Sequence, residues 1–411
     1  MLLFVSDLHL VDLPELSTLN TRAFLQRIGQ IVRDSAKLGV TKTTLVLLGD
    51  IFELLKSETW LNTGIRPWEP FTRDHSAAVS KIFEDIRSAN EDFFSGIRHL
   101  QAECPTLQIR YVPGNHDRML NTPAGADARR RFRELLEVNG SESDPFDEVL
   151  VDKDHRTIAK HGHEWDPTNR YTSAGAAIGD AVVIEILVRL PRLLRERFEL
   201  TRNDDFVRMV SEVDNVRPQA PRYLGEWLLA CLDSLAEARY DNAKRAVAES
   251  LELALHDFSK LRKGATRFES LATLTWWERF LSTAARGCLK AFGALRSSVV
   301  LPSGGESVGP YASFAGSDLE VATSGAGGDY SYILCGHTHV PEIVALGQRS
   351  KQFSSGVYIN TGTWRRVHHA TGAGDFVTWD EECAVIIATP AEQKLNLPAY
   401  EFRSTARGFE T

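Results

Sequence analysis

Five short polar motifs, each set directly behind an apolar run, constrain this chain more than its composition does. They are Asp7-Leu8-His9 after LLFVS (2–6), Gly49-Asp50 after TTLVLL (43–48), Gly114-Asn115-His116-Asp117 after LQIRYVP (107–113), His161-Gly162-His163 after TIAK (157–160), and Gly336-His337-Thr338-His339 after YILC (332–335). Short apolar runs of this kind read as buried strands. Between them, Phe24, Leu25, Ile28, Ile31 and Val32 recur at helical spacing and are closed by Gly39; Val79, Ile82, Phe83, Ile86, Phe93, Phe94, Ile97 and Leu100 form one long helical pattern. Strands alternating with helices call for a helix-covered sheet whose strand-end loops carry the functional residues. Asp-x-His and His-x-His set two side chains on one side of an extended backbone, as a chelate needs, and the glycines let the backbone come close. The donors are oxygen and nitrogen only and are too many for one ion. They suit two borderline cations, Mn²⁺, Fe or Zn²⁺, better than Mg²⁺ or Ca²⁺.

The chain has 411 residues, enough for one large or two modest domains. Its 43% hydrophobic and 25% charged residues are ordinary for a globular protein, and a net charge of -8 without a strongly basic arm argues against duplex nucleic acid as the main partner. Five cysteines, odd in number and far apart, argue against a disulfide framework and fit a reducing compartment. The N-terminal MLLFVSDLHL runs straight into a strand-like segment without a basic leader, and the apolar stretch 181–188 is broken by Glu185, so a cytoplasmic chain is expected. The pattern divides into a core over 1–173, a helical insertion over 174–300, a Gly/Ser-rich flexible linker over 301–330, the rest of the core over 331–395 and a tail over 396–411.

Taken together, the ordered set DLH, GD, GNHD, HGH and GHTH resembles the calcineurin-like metallophosphoesterases over about residues 1–170 and 330–395. The resemblance implies an α+β fold, an αββα sandwich of two mixed sheets flanked by helices and here carrying a large helical insertion. It implies two divalent cations, one on Asp7, His9 and His339 and the other on Asn115, His161 and His337, with Asp50 bridging both. A hydroxide held between the cations would attack phosphorus in line, and His116 would protonate the leaving oxygen. Asp117 would orient the loop or touch substrate, and His163 would stand behind the ligands or contact substrate. Asn360, Gly362 and Trp364 resemble the strand and turn that back the site in relatives. His368 and His369 read as exposed loop histidines.

Nucleases of this family carry a histidine three residues after the bridging aspartate, where this chain has Glu53, a candidate substrate contact. DLHL, GDIFE, GHTH and NTGTW resemble the UDP-2,3-diacylglucosamine hydrolases, the lipid-A-precursor pyrophosphatases, although GNHD stands where many of those have GNRD and HGH where they have HGD. The expected partner is an anionic phosphorylated small molecule, nucleotide or lipid; oligomeric state is left open. No ligand candidate falls in 174–300, so the centre is expected to assemble without that segment's side chains. The insertion nevertheless concentrates cations: Arg189, Arg192 and Arg195 oppose Leu187, Leu190, Leu194 and Phe198, and 260–296 carries a net charge of +6 among Leu271, Leu274, Trp276, Trp277, Phe280 and Leu281. That pattern fits a cap that contacts substrate through Arg189 and Arg192, or peripheral membrane contact. Helices packed on each other with solvated arginines are the plainer reading, and Pro191 is expected to split the first of them or to start a new helix.

Overall fold

A computed structural model describes residues 1–138, 144–166, 168–170, 177–217, 221–235, 243–250, 252–253, 256, 309–326, 330–346, 356–371 and 375–408. The apolar runs form strands as expected: β1 (Leu2–Val5), β2 (Thr43–Leu48), β3 (Leu107–Val112), β5 (Thr157–Lys160), β7 (Tyr332–Cys335) and β9 (Gly356–Asn360). Others that the pattern did not announce are β4 (Val149–Asp152), β6 (Val216–Arg217), β8 (Glu342–Leu346), β10 (Arg366–Ala370) and β12 (Tyr400–Gly408), while DFVTW and CAVIIA merge into one long β11 (Phe376–Ile387). They build two mixed sheets. One has the order β3-β2-β1-β11-β10-β6 with β12 also on β11; the other runs β4-β5-β7-β9-β8.

The period-two alternation of strand side chains explains why the central runs are apolar throughout. Leu2, Phe4, Val46 and Leu48 point toward the second sheet and meet Leu150, Ala159, Leu334 and Ile359. Their neighbours Leu3, Val5, Leu45 and Leu47 point the other way, into a core completed by α1 (Thr21–Lys37), α3 (Arg73–Ala89), α4 (Glu91–Glu103) and α5 (Ala126–Leu136); the short α2 (Thr59–Thr63) adds Trp60. Asn20 caps α1 by accepting from the Ala23 N–H. The long pattern from Val79 to Leu100 is two helices. Asn90 breaks it because its side-chain amide donates to the Ile86 and Val11 carbonyls.

Two expectations are corrected at the ends of the core. The stretch read as a linker contains a helix, α10 (Gly309–Ala326), which lays Ala312, Ala315 and Leu319 on Ile158, Ile333 and Tyr358 of the second sheet. Small residues let it lie close, so packing outweighs its poor intrinsic propensity. The tail is β12, paired with β11 from Tyr400↔Ile387 to Gly408↔Trp379. The molecule is thus layered helix, sheet, sheet, helix.

The described part of the insertion has its own core, in which Ile178, Ile186, Leu190, Leu194, Phe206, Trp227 and Val247 cluster. Its elements are α6 (Ile178–Val182), a π-helical stretch Val183–Val188, α7 (Arg189–Phe198), α8 (Asp205–Ser211), α9 (Pro221–Asp233) and a helical run over 243–250. Of the two expectations for Pro191, the second is nearer: it lies in the first turn of α7. It lacks an N–H and crowds the carbonyl four residues back, and the wider π turn lies just ahead of it. The insertion is not wholly helical either, because β6 joins the first sheet through His368↔Val216 and His369↔Arg217. The basic stretch 260–296 lies outside the described residues. Among the described residues no helix is long and apolar enough to cross a membrane.

Candidate metal centre

β1, β2 and β3 are parallel neighbours in one sheet, and β5 and β7 in the other, so the loops that follow them open on a common rim. Backbone bonds tie those loops together: Asp7 N–H donates to the Gly49 carbonyl (3.1 Å), His9 N–H to Asp50 (2.9 Å) and Gly336 N–H to His161 (3.0 Å). Across the two sheets, His337 N–H donates to the Asp7 carboxylate at 3.1 Å. The NTGTW turn backs the loops, with Asn360 donating to the Gly336 carbonyl (2.7 Å) and the Thr363 hydroxyl to that of Asp7 (2.8 Å). The approach is close enough that a Cβ at Gly336 would run into the Asp7 carboxylate, and one at Gly114 into that of Asp50.

Asp7, His9, Asp50, His337 and His339 all take positive φ, between 46° and 72°. Non-glycine residues in that region carry strain that the surrounding structure must hold. Here it turns their side chains into one buried cluster. Among the described residues, three groups could hold a metal ion: Asp7, His9, Asp50 and His339; Asp50, His161 and His337; and His9, Glu53 and His116; Asp50 is common to the first two. Asp50 Oδ2 lies 3.8 Å from His9 Nε2 and 3.1 Å from His161 Nε2, and Asp7 Oδ1 lies 3.2 Å from His339 Nε2. His161 Nε2 and Asn115 Oδ1 are buried with no well-aligned hydrogen-bond partner. Orphaned buried polar atoms are rare unless something else serves them, and together with the all-N,O donor set they fit a cation.

The residues behind the ligands were less visible in the sequence. Glu53 is corrected from a substrate contact to a buried bracket: its two oxygens lie 2.7 Å from His9 Nδ1 and 2.6 Å from His116 Nδ1. Burial alone would raise its carboxyl, but those two imidazoles hold it well below the usual range. Asp166, which no motif marked, lies 3.1 Å from His337 Nε2, and the Leu48 carbonyl lies 3.1 Å from His161 Nδ1. Asp117 also turns inward, accepting the Ile51 N–H (2.8 Å) and the Gly114 N–H (2.5 Å), so it shapes the loop and is not a substrate contact. His163 is buried beside the ligands, its ring 5.6 Å from that of His161.

Electrostatics in the cluster follow from these neighbours. Burial raises Asp50, but the His161 and His116 imidazoles outweigh it and keep the carboxyl well below its ordinary value. Burial lowers His116, but Glu53 and Asp50 outweigh it and push the imidazole up to about 9. The His116 side chain is 18% exposed and so can meet a ligand.

The insertion does reach the centre, contrary to expectation, because buried Arg217 of β6 donates to His339 Nδ1 at 2.5 Å. Among its other described cations, Arg189 is answered by Glu185, Arg192 by Glu196 (2.8 Å), and both Arg195 and Arg202 by Glu58. Arg189 and Arg192 therefore brace helices rather than stand free for substrate. His368 is buried, not on an exposed loop; its Nε2 lies 2.8 Å from Glu212 and its ring stacks on Trp227 at 4.1 Å. No protein-family model matches the chain, and no curated protein matches it.

Proposed function

We propose that this protein is a dinuclear metal-dependent phosphoesterase of the calcineurin-like type. One observation carries the reading: strand-end loops from both sheets converge, and two of the three candidate metal groups there share Asp50. The helix–sheet–sheet–helix layering agrees with the sandwich of that family. Asp7, His9 and His339 would hold one cation and Asn115, His161 and His337 the other, with Asp50 between them; Mn²⁺ suits this donor set, as do Fe and Zn²⁺. Bound there, such ions supply a nucleophile at neutral pH and neutralise charge on phosphoryl oxygens.

The chain's own residues divide the remaining work. His116 presents a protonated imidazole at the rim. With Nδ1 engaged by Glu53, Nε2 is left to hand a proton to the leaving oxygen. Glu53 orients that ring and His9 together, so the proton donor and one ligand are set by a single carboxylate. Asp117 and the NTGTW turn hold the loops in place around the proposed ions. Glu53 also occupies the position where nucleases of the family carry histidine, which favours a small anionic phosphoester or pyrophosphate over a nucleic acid.

The test is metal content with a substrate panel. Purified protein is expected to hold about two Mn, Fe or Zn per chain. With Mn²⁺ it should hydrolyse one or more of p-nitrophenyl phosphate, bis-p-nitrophenyl phosphate and a UDP-sugar pyrophosphate, and lose that activity in chelator. Hydrolysis of a UDP-linked acylated sugar above the others would select the lipid-A-precursor reaction. Protein that binds no metal and hydrolyses nothing in the panel would be a scaffold instead.

A further inference from the structure

The four histidines of the proposed ligand set differ in what stands behind them. A ligating imidazole needs one bare nitrogen for the cation, so its proton sits on the other nitrogen and is given to an acceptor. Three rings meet that requirement: His9 has the Glu53 carboxylate behind Nδ1, His161 the Leu48 carbonyl behind Nδ1, and His337 the Asp166 carboxylate behind Nε2. His339 does not. Behind its Nδ1 is Arg217 Nη2, and a guanidinium only donates. A neutral ring that accepts at Nδ1 carries its proton on Nε2, the atom that faces Asp7 Oδ1 at 3.2 Å and His9 Nε2 at 3.1 Å.

For Nε2 to meet a cation bare, the ring proton has to move to Nδ1, where it would confront the Arg217 N–H. That hydrogen bond is then lost and the guanidinium has to shift. Arg217 is 3% exposed and also donates to the Asp214 and Val216 carbonyls at 2.9 Å, so its place is set by β6 and the turn before it. A second guanidinium, Arg365, is held nearby by Asp214 at 3.2 Å. In the second candidate group both rings have acceptors behind them, the Leu48 carbonyl and the Asp166 carboxylate, and no guanidinium.

We propose that Arg217 makes the Asp7/His9/His339 half of the centre the weaker cation site, filled after the Asn115/His161/His337 half, and so ties its occupancy to the docking of the insertion. The proposal rests on the two-cation reading above. Arg217 is a positioning residue in this scheme, acting through His339.

Calorimetric titration of the full-length, metal-stripped protein with Mn²⁺ should resolve two steps of unequal affinity. In Arg217→Gln the side-chain amide oxygen can accept the Nδ1 proton while its nitrogen still serves a backbone carbonyl. The weaker step should tighten by about tenfold, the low end of what groups behind a ligand exert, and the tighter step should stay within about twofold. Hydrogen exchange on the wild type provides a readout that needs no variant: amides of Val216 and Arg217 should exchange faster on adding the second equivalent of Mn²⁺ but not the first. Two equal sites in the wild type, or a weaker step unmoved in a folded Arg217→Gln protein, overturn the proposal while leaving the dinuclear reading intact. Binding of no Mn²⁺ at all overturns both.

Discussion

The ligand rim and the insertion interface both bury charge, and they do so in opposite ways. At the interface each charge has an answering partner: Arg118 with Asp180, Arg66 with Glu185 at 2.5 Å, Lys56 with Asp214 at 2.8 Å, and Glu212 with His368 at 2.8 Å. At the rim, two carboxylates and four imidazoles crowd together, and five side chains are carried on positive-φ backbone. Paired charges are accounted for by docking alone. Backbone strain and like groups crowded in one place are not, and they mark the rim as the candidate functional site.

The sharpest way to break that contrast is Asp50→Ala. As the one residue common to the two groups proposed to hold cations, its loss should remove both cations' shared ligand and reduce turnover to background; metal analysis alongside kinetics would show it, and full activity in the variant would sink the dinuclear assignment. His9→Ala should instead weaken one half and leave the other partly occupied.

A smaller loss is expected at His116, whose proposed role concerns protons more than metal. His116→Ala should keep its metal and lose about 10²–10⁴ in turnover. The loss should be greater for alkyl phosphates than for p-nitrophenyl esters, whose leaving group needs little protonation. Equal losses on both substrates would reduce His116 to a phosphate-positioning group.

Glu53→Ala comes next. It frees both His9 and His116, so metal affinity should fall by about 10–100-fold, and His116 should lose its orientation at the same time. If only kcat drops while metal affinity is unchanged, the bracket serves His116 alone.

At the other end of the scale, the Arg192–Glu196 pair is partly exposed and belongs to the interface. Arg192→Gln should cost about 0–1 kcal/mol or less in a denaturant melt and leave small-ester kinetics as they are. A large effect on hydrolysis would mean that an interface arginine belongs to the chemistry after all, and the contrast between the two regions would fail.

Much of the rim was legible because its signal is local. An apolar run followed by Asp-x-His or Gly-His-x-His announces a strand and the polar loop after it, and the structure gathers Asp7, His9, Asp50, His161, His337 and His339 into candidate metal groups, with Asn115 among the loops beside them. The misreadings occurred where local composition was a poor guide. Gly309–Ala326 has linker-like residues but is held helical by contact with Ile333 and Tyr358, and the 400–408 tail becomes a strand only because β11 offers an open edge. His368 looked like a loop residue until β6 and Trp227 covered it.

What sequence could not determine is what stands behind each ligand. His9 and Glu53 are 44 positions apart, Arg217 and His339 122, and His337 and Asp166 171. No periodicity links such pairs, because they meet through sheet order and the docking of an insertion rather than through any local repeat. The sequence alone determined which atoms can bind a cation. Whether each imidazole has an acceptor or a donor behind it was decided only when the two sheets and β6 closed around the rim, since a ring's proton goes to whichever nitrogen the surrounding structure can accept it from.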